Sequence, residues 1–404
     1  MSCWEEEDQY VNMPVLYTRK EFLKTLGLGT SALLAGGGWC GTAAGDPENG
    51  RSIKGTVFKG DAPDKPWKWS IEAMHYEKSG DDVQCLVCPN YCYLEPGDRS
   101  VCRSRVNIGG KLYSLTYGNP CAVHIDPVEK KPLNHFFPGT SVLSIAPTGC
   151  NLRCLNCQNW EISQKRPEDV KFYELFPDGV VDTAVKKNIP SVAYTYSEAT
   201  TYYEYMYNTS KLAGESGIKN ILVSNGYIND GPLAELAGYI DGANINLKSF
   251  DDSIYQKLNG GKLDPVLNTF KRLHRANVWF EMTTLVVPGY IDDRDMIKRM
   301  CGWITKELGP DYPLHFSRFY PKYKLDRLPP TPVTTLEKFR DTALEEGIRY
   351  VYIGNVPGHE ACNTYCHNCK KLLIERKGYY LNQVNIVSGR CKYCKTLIPG
   401  RWKI

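Results

Sequence analysis

No sign of charge dominates this chain: 49 Lys and Arg stand against 45 Asp and Glu over 404 residues, a formal net charge of +4. That excess is too small to imply a nucleic-acid partner. Cysteine is sparse for a disulfide scaffold, 16 residues or about 4% against the ~8–10% of such chains, so a small stapled fold is excluded. Long apolar runs are few. Residues 25–45 carry no charge, yet seven of the 21 are glycine, a poor spanning helix beside the ~20 strongly apolar residues one needs. The G-x-G-x-x-G turn of a dinucleotide-binding sheet is missing after the first strand pattern. What is present, 42% hydrophobic and 12% aromatic residues, supports a large core and rules out a disordered or fibrous chain.

The cysteines are grouped. Eleven of the 16 fall in three sets: Cys85, Cys88, Cys92 and Cys102; Cys150, Cys154 and Cys157; and Cys366, Cys369, Cys391 and Cys394. Gaps of two and three residues turn sulfurs toward a common point, which suits metal better than disulfides and implies a reducing, cytoplasmic compartment. Against that, Thr18-Arg19-Lys20-Glu21-Phe22-Leu23-Lys24 resembles a twin-arginine export signal with Lys20 in place of the second arginine. Membrane association or export is therefore the alternative localisation. Residues 1–50 are read as a leader outside the fold, 51–135 as a linker and Cys-rich unit, 136–360 as the main domain and 361–404 as a Cys-rich tail.

Within the main domain, β-rich apolar runs recur at 141–145, 191–196, 220–224, 243–247, 279–287, 313–319 and 349–353. Between them, segments such as 202–215, 263–276, 293–308 and 335–346 carry apolar positions at helical spacing. Strand and helix alternating this often predict an α/β fold, a partial (β/α)6-type TIM-like barrel of parallel strands. An open doubly wound sheet is the alternative. A further strand pair is expected at 111–116 and 122–125.

The first run leads into Pro147-Thr148-Gly149-Cys150-Asn151-Leu152-Arg153-Cys154-Leu155-Asn156-Cys157, a C-x3-C-x2-C pattern. It falls on the loop after the first strand, at the C-terminal rim where barrel active sites lie. Three thiolates can hold three irons of a [4Fe–4S] cube and leave the fourth iron for a substrate or cosubstrate. The competing reading, three ligands of a structural zinc, lacks a fourth ligand close in sequence.

With this motif the sequence resembles the radical S-adenosylmethionine superfamily. The resemblance narrows at Asp126-Pro127-Val128-Glu129-Lys130-Lys131-Pro132-Leu133, 149–160, Tyr194-Thr195-Tyr196, Ser224-Asn225-Gly226-Tyr227, Leu285-Val286-Val287-Pro288-Gly289 and Gly354-Asn355-Val356-Pro357-Gly358. These resemble the radical enzyme of the AmmeMemoRadiSam group, related to pyruvate formate-lyase activating enzymes, over roughly residues 85–402. The resemblance implies that S-adenosylmethionine chelates the open iron, and that one electron from the reduced cluster cleaves it to methionine and a 5′-deoxyadenosyl radical. That radical then takes a hydrogen atom from the substrate.

The resemblance also assigns cosubstrate contacts. Asn156 stands where the family carries an aromatic or bulky residue near the adenine. Glu198 is the candidate for the cosubstrate's amino group, Asn225 and Gly226 for its methionyl or ribose part, and Lys248 for its carboxylate. The family's Asp-Leu-Lys appears as Asn246-Leu247-Lys248, so the Asp on which the family could build a cation site is replaced here by Asn246. Further rim candidates are Glu281 and Thr283 on the fifth strand, sharing a face by alternation, and His315 and Arg318 on the sixth.

In the tail, two C-x2-C pairs separated by 21 residues read as a zinc ribbon holding Zn, with rubredoxin-like iron as the competing occupant. For Cys85, Cys88, Cys92 and Cys102, zinc and an auxiliary iron–sulfur cluster remain open, and Cys121 and His124 lie near enough in sequence to substitute as ligands. The function expected is therefore that of a radical S-adenosylmethionine oxidoreductase on an unassigned protein or small molecule. A glycyl-radical-enzyme activase and a non-catalytic iron–sulfur carrier or adaptor are the alternatives. A one-electron donor of ferredoxin or flavodoxin type is implied, and the family's name suggests AMMECR1-like and Memo-like partners.

Overall fold

The computed structural model describes residues 55–403 and a short strand at Val15–Tyr17. The export-like segment 18–24 and the uncharged stretch 25–45 lie outside the described residues. Among the described residues, no helix is long and apolar enough to cross a membrane.

Seven parallel strands stand side by side in chain order: β1 (Ser141–Ala146), β2 (Ser191–Tyr194), β3 (Lys219–Ser224), β4 (Gly242–Asn246), β5 (Trp279–Val286), β6 (Leu314–Arg318) and β7 (Val351–Gly354). Successive strands are linked by α1 (Pro177–Lys186), α2 (Tyr203–Glu215), α3 (Asp230–Ala237), α4 (Leu263–Arg275), α5 (Arg294–Glu307) and α6 (Val333–Glu345). The strands are buried on both faces, as parallel strands covered by helices must be; all four residues of β2 are buried. Alternation sorts their side chains. Leu143 and Ile145 of β1 pack in the large cluster that includes the helices, whereas Val142 joins Ala193, Ile221 and Trp279 around Phe136 and Phe137 on the inner face.

Strands β1, β2, β3 and β5 thus converge on one plug, and the sheet curves around it without closing. The strand Ala122–Pro127 pairs antiparallel with β1 and forms one edge, β7 forms the other, and the two do not pair with each other. Phe136 is fully buried, and a Cβ on Gly242 would lie 2.5 Å from its ring, so glycine is required there for close approach. Truncating Phe136 to alanine would cost about 3–5 kcal/mol.

The expected pairing of 111–116 with 122–125 does not form. Lys111–Ser114 pairs instead with Arg105–Ile108 and Ile71–Glu72, while Ala122–Pro127 joins the main sheet. A second small sheet, Tyr76–Ser79, Asp82–Cys85 and Tyr93–Leu94, completes the N-terminal unit. At the other end of the chain, Thr364–Tyr365, Leu372–Lys377 and Tyr380–Val384 form an antiparallel sheet beside the hairpin Ile386–Val387 and Arg390–Cys391. The tail after it returns to the plug: Phe137 N–H donates to Arg401 O and Arg401 N–H to His135 O, each at 2.7 Å.

Candidate active site

The loop after β1 carries Cys150, Cys154 and Cys157, all partly buried and none in a disulfide. It leaves the strand through Gly149, whose φ of 105° is open only to glycine. A π-helical turn at Tyr255–Asn259 holds the loop by its backbone: Arg153 N–H donates to Asn259 O at 2.8 Å and Leu155 N–H to Leu258 O at 2.9 Å. Two side-chain amides aim at sulfur. Asn259 Nδ2 donates to Cys154 Sγ at 3.2 Å, and Asn225 Nδ2 lies 3.8 Å from Cys150 Sγ while donating to Asn151 Oδ1 at 2.8 Å.

The backbone contributes the same kind of contact, since Leu152 N–H approaches Cys150 Sγ at 3.4 Å and Asn159 N–H serves Cys157. Such N–H···S bonds favour the thiolate, the form that binds metal. Burial pushes the Cys150 thiol well above its ordinary range, and the Glu198 carboxylate, Cys154 and Cys157 add to the rise. Cys157 is pushed up to about 11 by burial and by Cys154, with the Lys248 charge pulling the other way. Thiolates in this setting need positive counter-charge, which bound iron supplies, so the three residues fit an iron–sulfur cluster.

Glu198 is buried just after β2 and holds the rim together. Its Oε1 accepts from Thr200 N–H at 3.0 Å, Thr200 O–H at 2.8 Å and Ser224 O–H at 2.7 Å, and its Oε2 from Asn225 N–H at 2.8 Å. Gly226 follows at a φ of 71°, with its carbonyl accepting from Thr269 O–H at 2.7 Å. Asn156 places a buried Oδ1 beside the cysteines with no protein partner. Lys248 lies two residues beyond β4, near enough for its charge to act on Cys157. The structure thus gathers Asn156, Glu198, Asn225, Gly226 and Lys248 around the cysteine loop. Sequence reading missed Asn151, Thr200 and Asn259; the first sits inside the cysteine motif, whereas Asn259 carries no signal until the π-helical turn is seen.

Glu281 and His315 are not at that rim. Glu281 is the third residue of β5 and His315 the second of β6, so both sit toward the N-terminal ends of their strands. Their side chains meet at 2.7 Å inside the sheet, and Glu281 also accepts from Asn134 N–H at 2.9 Å and His135 N–H at 2.6 Å. This carboxylate anchors the plug. Thr283 is likewise occupied with Asn244 at 2.9–3.0 Å, and Arg318 Nε donates to Thr331 O at 2.8 Å.

On the antiparallel edge strand, Asp126 accepts from Lys131 Nζ at 2.5 Å, Lys130 Nζ at 3.0 Å, Ser144 O–H at 2.7 Å and the hydroxyl of Tyr196. Burial alone would raise its carboxyl, but the Lys131 charge and the hydrogen bonds outweigh it and hold Asp126 well below the usual carboxylate range. In the C-terminal unit, the sulfurs of Cys366, Cys369, Cys391 and Cys394 all lie within 4.8 Å of one another, with Cys366 to Cys394 at 3.6 Å and Cys369 to Cys391 at 3.7 Å. That quartet could hold a metal ion.

Comparison with known proteins agrees with this site. Residues 144–301 match the model of the Radical SAM superfamily. An uncharacterized protein of Methanocaldococcus jannaschii is 48% identical over 326 residues, covering 80% of this chain and 97% of its own. Pyruvate formate-lyase 1-activating enzyme of Escherichia coli strain K12 is 26% identical over 222 residues, covering 50% of this chain and 89% of its own. Among solved structures, a domain of pyruvate-formate lyase-activating enzyme from Bacteroides vulgatus matches 41% of this chain and 98% of its own at 16% identity and a TM-score of 0.37. With the three-cysteine loop seated at the C-terminal end of β1 inside the matched span, the chain belongs to the radical SAM superfamily.

Proposed function

We propose that this chain is a radical S-adenosylmethionine enzyme in which Cys150, Cys154 and Cys157 hold a [4Fe–4S] cluster. When bound, the reduced cluster and S-adenosylmethionine supply a 5′-deoxyadenosyl radical that takes a hydrogen atom from a protein or small-molecule substrate. The protein's part is placement. Lys248 offers a cation to the cosubstrate carboxylate, and Glu198 fixes the Asn225–Gly226 turn against the cysteine loop. The plug around Phe136 and the returning tail block the opposite end of the sheet, so substrate enters at the cysteine rim. A ferredoxin- or flavodoxin-type protein supplies the electron.

The observation that carries this reading is the donor set converging on the rim sulfurs, with Asn259 on Cys154 and Leu152 N–H on Cys150. The likeness to the E. coli activase supports hydrogen abstraction from a protein glycine as a narrower form of the same reading. We also infer zinc in the C-terminal quartet, because a tetrahedron with Zn–S of about 2.3 Å has sulfur edges of about 3.8 Å, close to the 3.6 and 3.7 Å found.

The test is anaerobic reconstitution with iron and sulfide, dithionite reduction with S-adenosylmethionine, and chromatography for 5′-deoxyadenosine. Wild type should produce it and Cys154→Ala should not. A fully loaded, reducible wild-type cluster that leaves S-adenosylmethionine intact would sink the enzyme reading in favour of an electron carrier.

A further inference from the structure

Beside the rim loop, Cys85, Cys88, Cys92 and Cys102 line one small cavity together with Arg105 and Asn151. None of the four thiols is in a disulfide, and three of the four residues are buried. Their surroundings match those of the rim cysteines. Val87 N–H serves Cys85, Asn90 N–H serves Cys88 and Val101 N–H serves Cys92, while the Ser100 hydroxyl lies 3.0 Å from Cys102 Sγ. A buried cavity of four hydrogen-bonded sulfurs with one arginine beside them is built for thiolates and a cationic occupant.

The spacing of the sulfurs selects the occupant. A single tetrahedral ion draws its four sulfurs to within about 3.8 Å of one another. Among the described residues, Cys366, Cys369, Cys391 and Cys394 are the group with ligand atoms packed that closely. The N-terminal quartet forms no such close group and lines a cavity instead, and Cys150, Cys154 and Cys157 form none either. A cube keeps its thiolates farther apart because each binds a different iron.

We propose that Cys85, Cys88, Cys92 and Cys102 ligate a second [4Fe–4S] cluster, seated against the loop that carries the first. Four protein thiolates leave it no open iron, so this site binds no cosubstrate and is suited to holding or passing an electron. The two sites share a wall. Asn90 Nδ2 donates to Asn151 O at 2.8 Å, Ser104 O–H donates to Thr148 O at 3.0 Å, and the charges of Arg103 and Arg153 each feel both Cys102 and Cys150. The assignment does not depend on whether the rim cluster cleaves S-adenosylmethionine.

The experiment uses the full chain reconstituted anaerobically with iron, sulfide and zinc. Wild type should hold about eight irons and eight sulfides with one zinc. The variant with Cys150→Ala, Cys154→Ala and Cys157→Ala should keep about half of the iron and sulfide and, after dithionite reduction, an electron paramagnetic resonance signal of a [4Fe–4S] cluster. Cys88→Ala with Cys92→Ala should lose the other half while the rim cluster stays. Wild type with about four irons and about two zincs would overturn the proposal, as would about six irons, which would mean a two-iron centre. The wild-type count decides the matter even where a variant fails to fold. Eight irons without S-adenosylmethionine cleavage would sink the function proposed above and leave this assignment standing.

Discussion

The guanidinium of Arg105 and the carboxylate of Glu204 meet in two hydrogen bonds of 3.0 and 2.8 Å with both side chains out of solvent. Arg105 belongs to the N-terminal unit and Glu204 to the first turn of α2, so the pair fastens the unit to the main domain. Glu204 also accepts from Met74 N–H at 3.0 Å. Removing one partner of a buried pair leaves an uncompensated charge, so Glu204→Ala should cost about 3–5 kcal/mol in anaerobic urea unfolding. A loss under about 1 kcal/mol, the ordinary worth of a surface pair, would mean that the unit is held by other contacts.

Gly149 joins the two cysteine sites sterically. A Cβ there would lie 2.2 Å from Ser104 Oγ and 2.7 Å from the carbonyl oxygen of Cys102, on a backbone with a φ of 105°. A serine side chain can turn away, but a backbone carbonyl cannot. Gly149→Ala should cost about 1–3 kcal/mol and lower iron retention at both sites after gel filtration. Wild-type iron content with an unchanged melting temperature would show that the loop has slack.

These contacts mark the limit of what the sequence discloses. The rim cysteines and the strand–helix alternation are local patterns, readable because spacing alone turns Cys150, Cys154 and Cys157 together and places their loop after a strand. Glu281 and His315 misled because alternation gives the face of a strand and not the height along it. Their height depends on stagger between strands and on what fills the interior. That filling comes from residues 128–140 and the returning tail, which have no period of their own and find their place only in the folded chain. The partner of the expected strand at 122–125 escaped for the same reason: Ala122–Pro127 pairs with β1 across the plug segment and not through a tight turn.

His135 tests the plug through pH. Its Nδ1 contacts Pro399 O and its Nε2 the hydroxyl of Tyr352, each at 2.6 Å, and Tyr352 meets Thr364 Oγ1 at 2.8 Å. In the neutral ring, Nδ1–H donates to the carbonyl and Nε2 accepts from the tyrosine. Burial pulls the folded-state value down from 6.5 to about 4, against the pull of Glu281 in the other direction. As pH falls, the unfolded chain therefore takes up this proton first. The contribution is fully present above about pH 6.5 and fades toward pH 4, about 3 kcal/mol in all. His135→Gln should flatten the slope of stability between about pH 7 and 5 relative to wild type. Parallel slopes in the two proteins would mean that the ring takes up its proton at the same pH in the folded and unfolded chains.

Glu198 offers the sharpest separation of chemistry from folding. Its Oε2 accepts from the backbone N–H of Asn225, which cannot rotate away, and its Oε1 takes a second backbone N–H from Thr200. In Glu198→Gln the amide nitrogen must face one of these two donors, so the chain has to yield at Thr200 or at Asn225. A yield at Asn225 moves the side chain that bridges Asn151 and Cys150. Partners one step removed from a metal typically change activity by about 10–100-fold. The rate of 5′-deoxyadenosine formation per cluster should fall in that range while iron and sulfide content stay at the wild-type level. Glu198→Asp, which keeps four acceptor lone pairs, should recover part of the rate. If the rate per cluster is unchanged and only the melting temperature drops, Glu198 is a brace for β2 and β3 and does not position the cosubstrate.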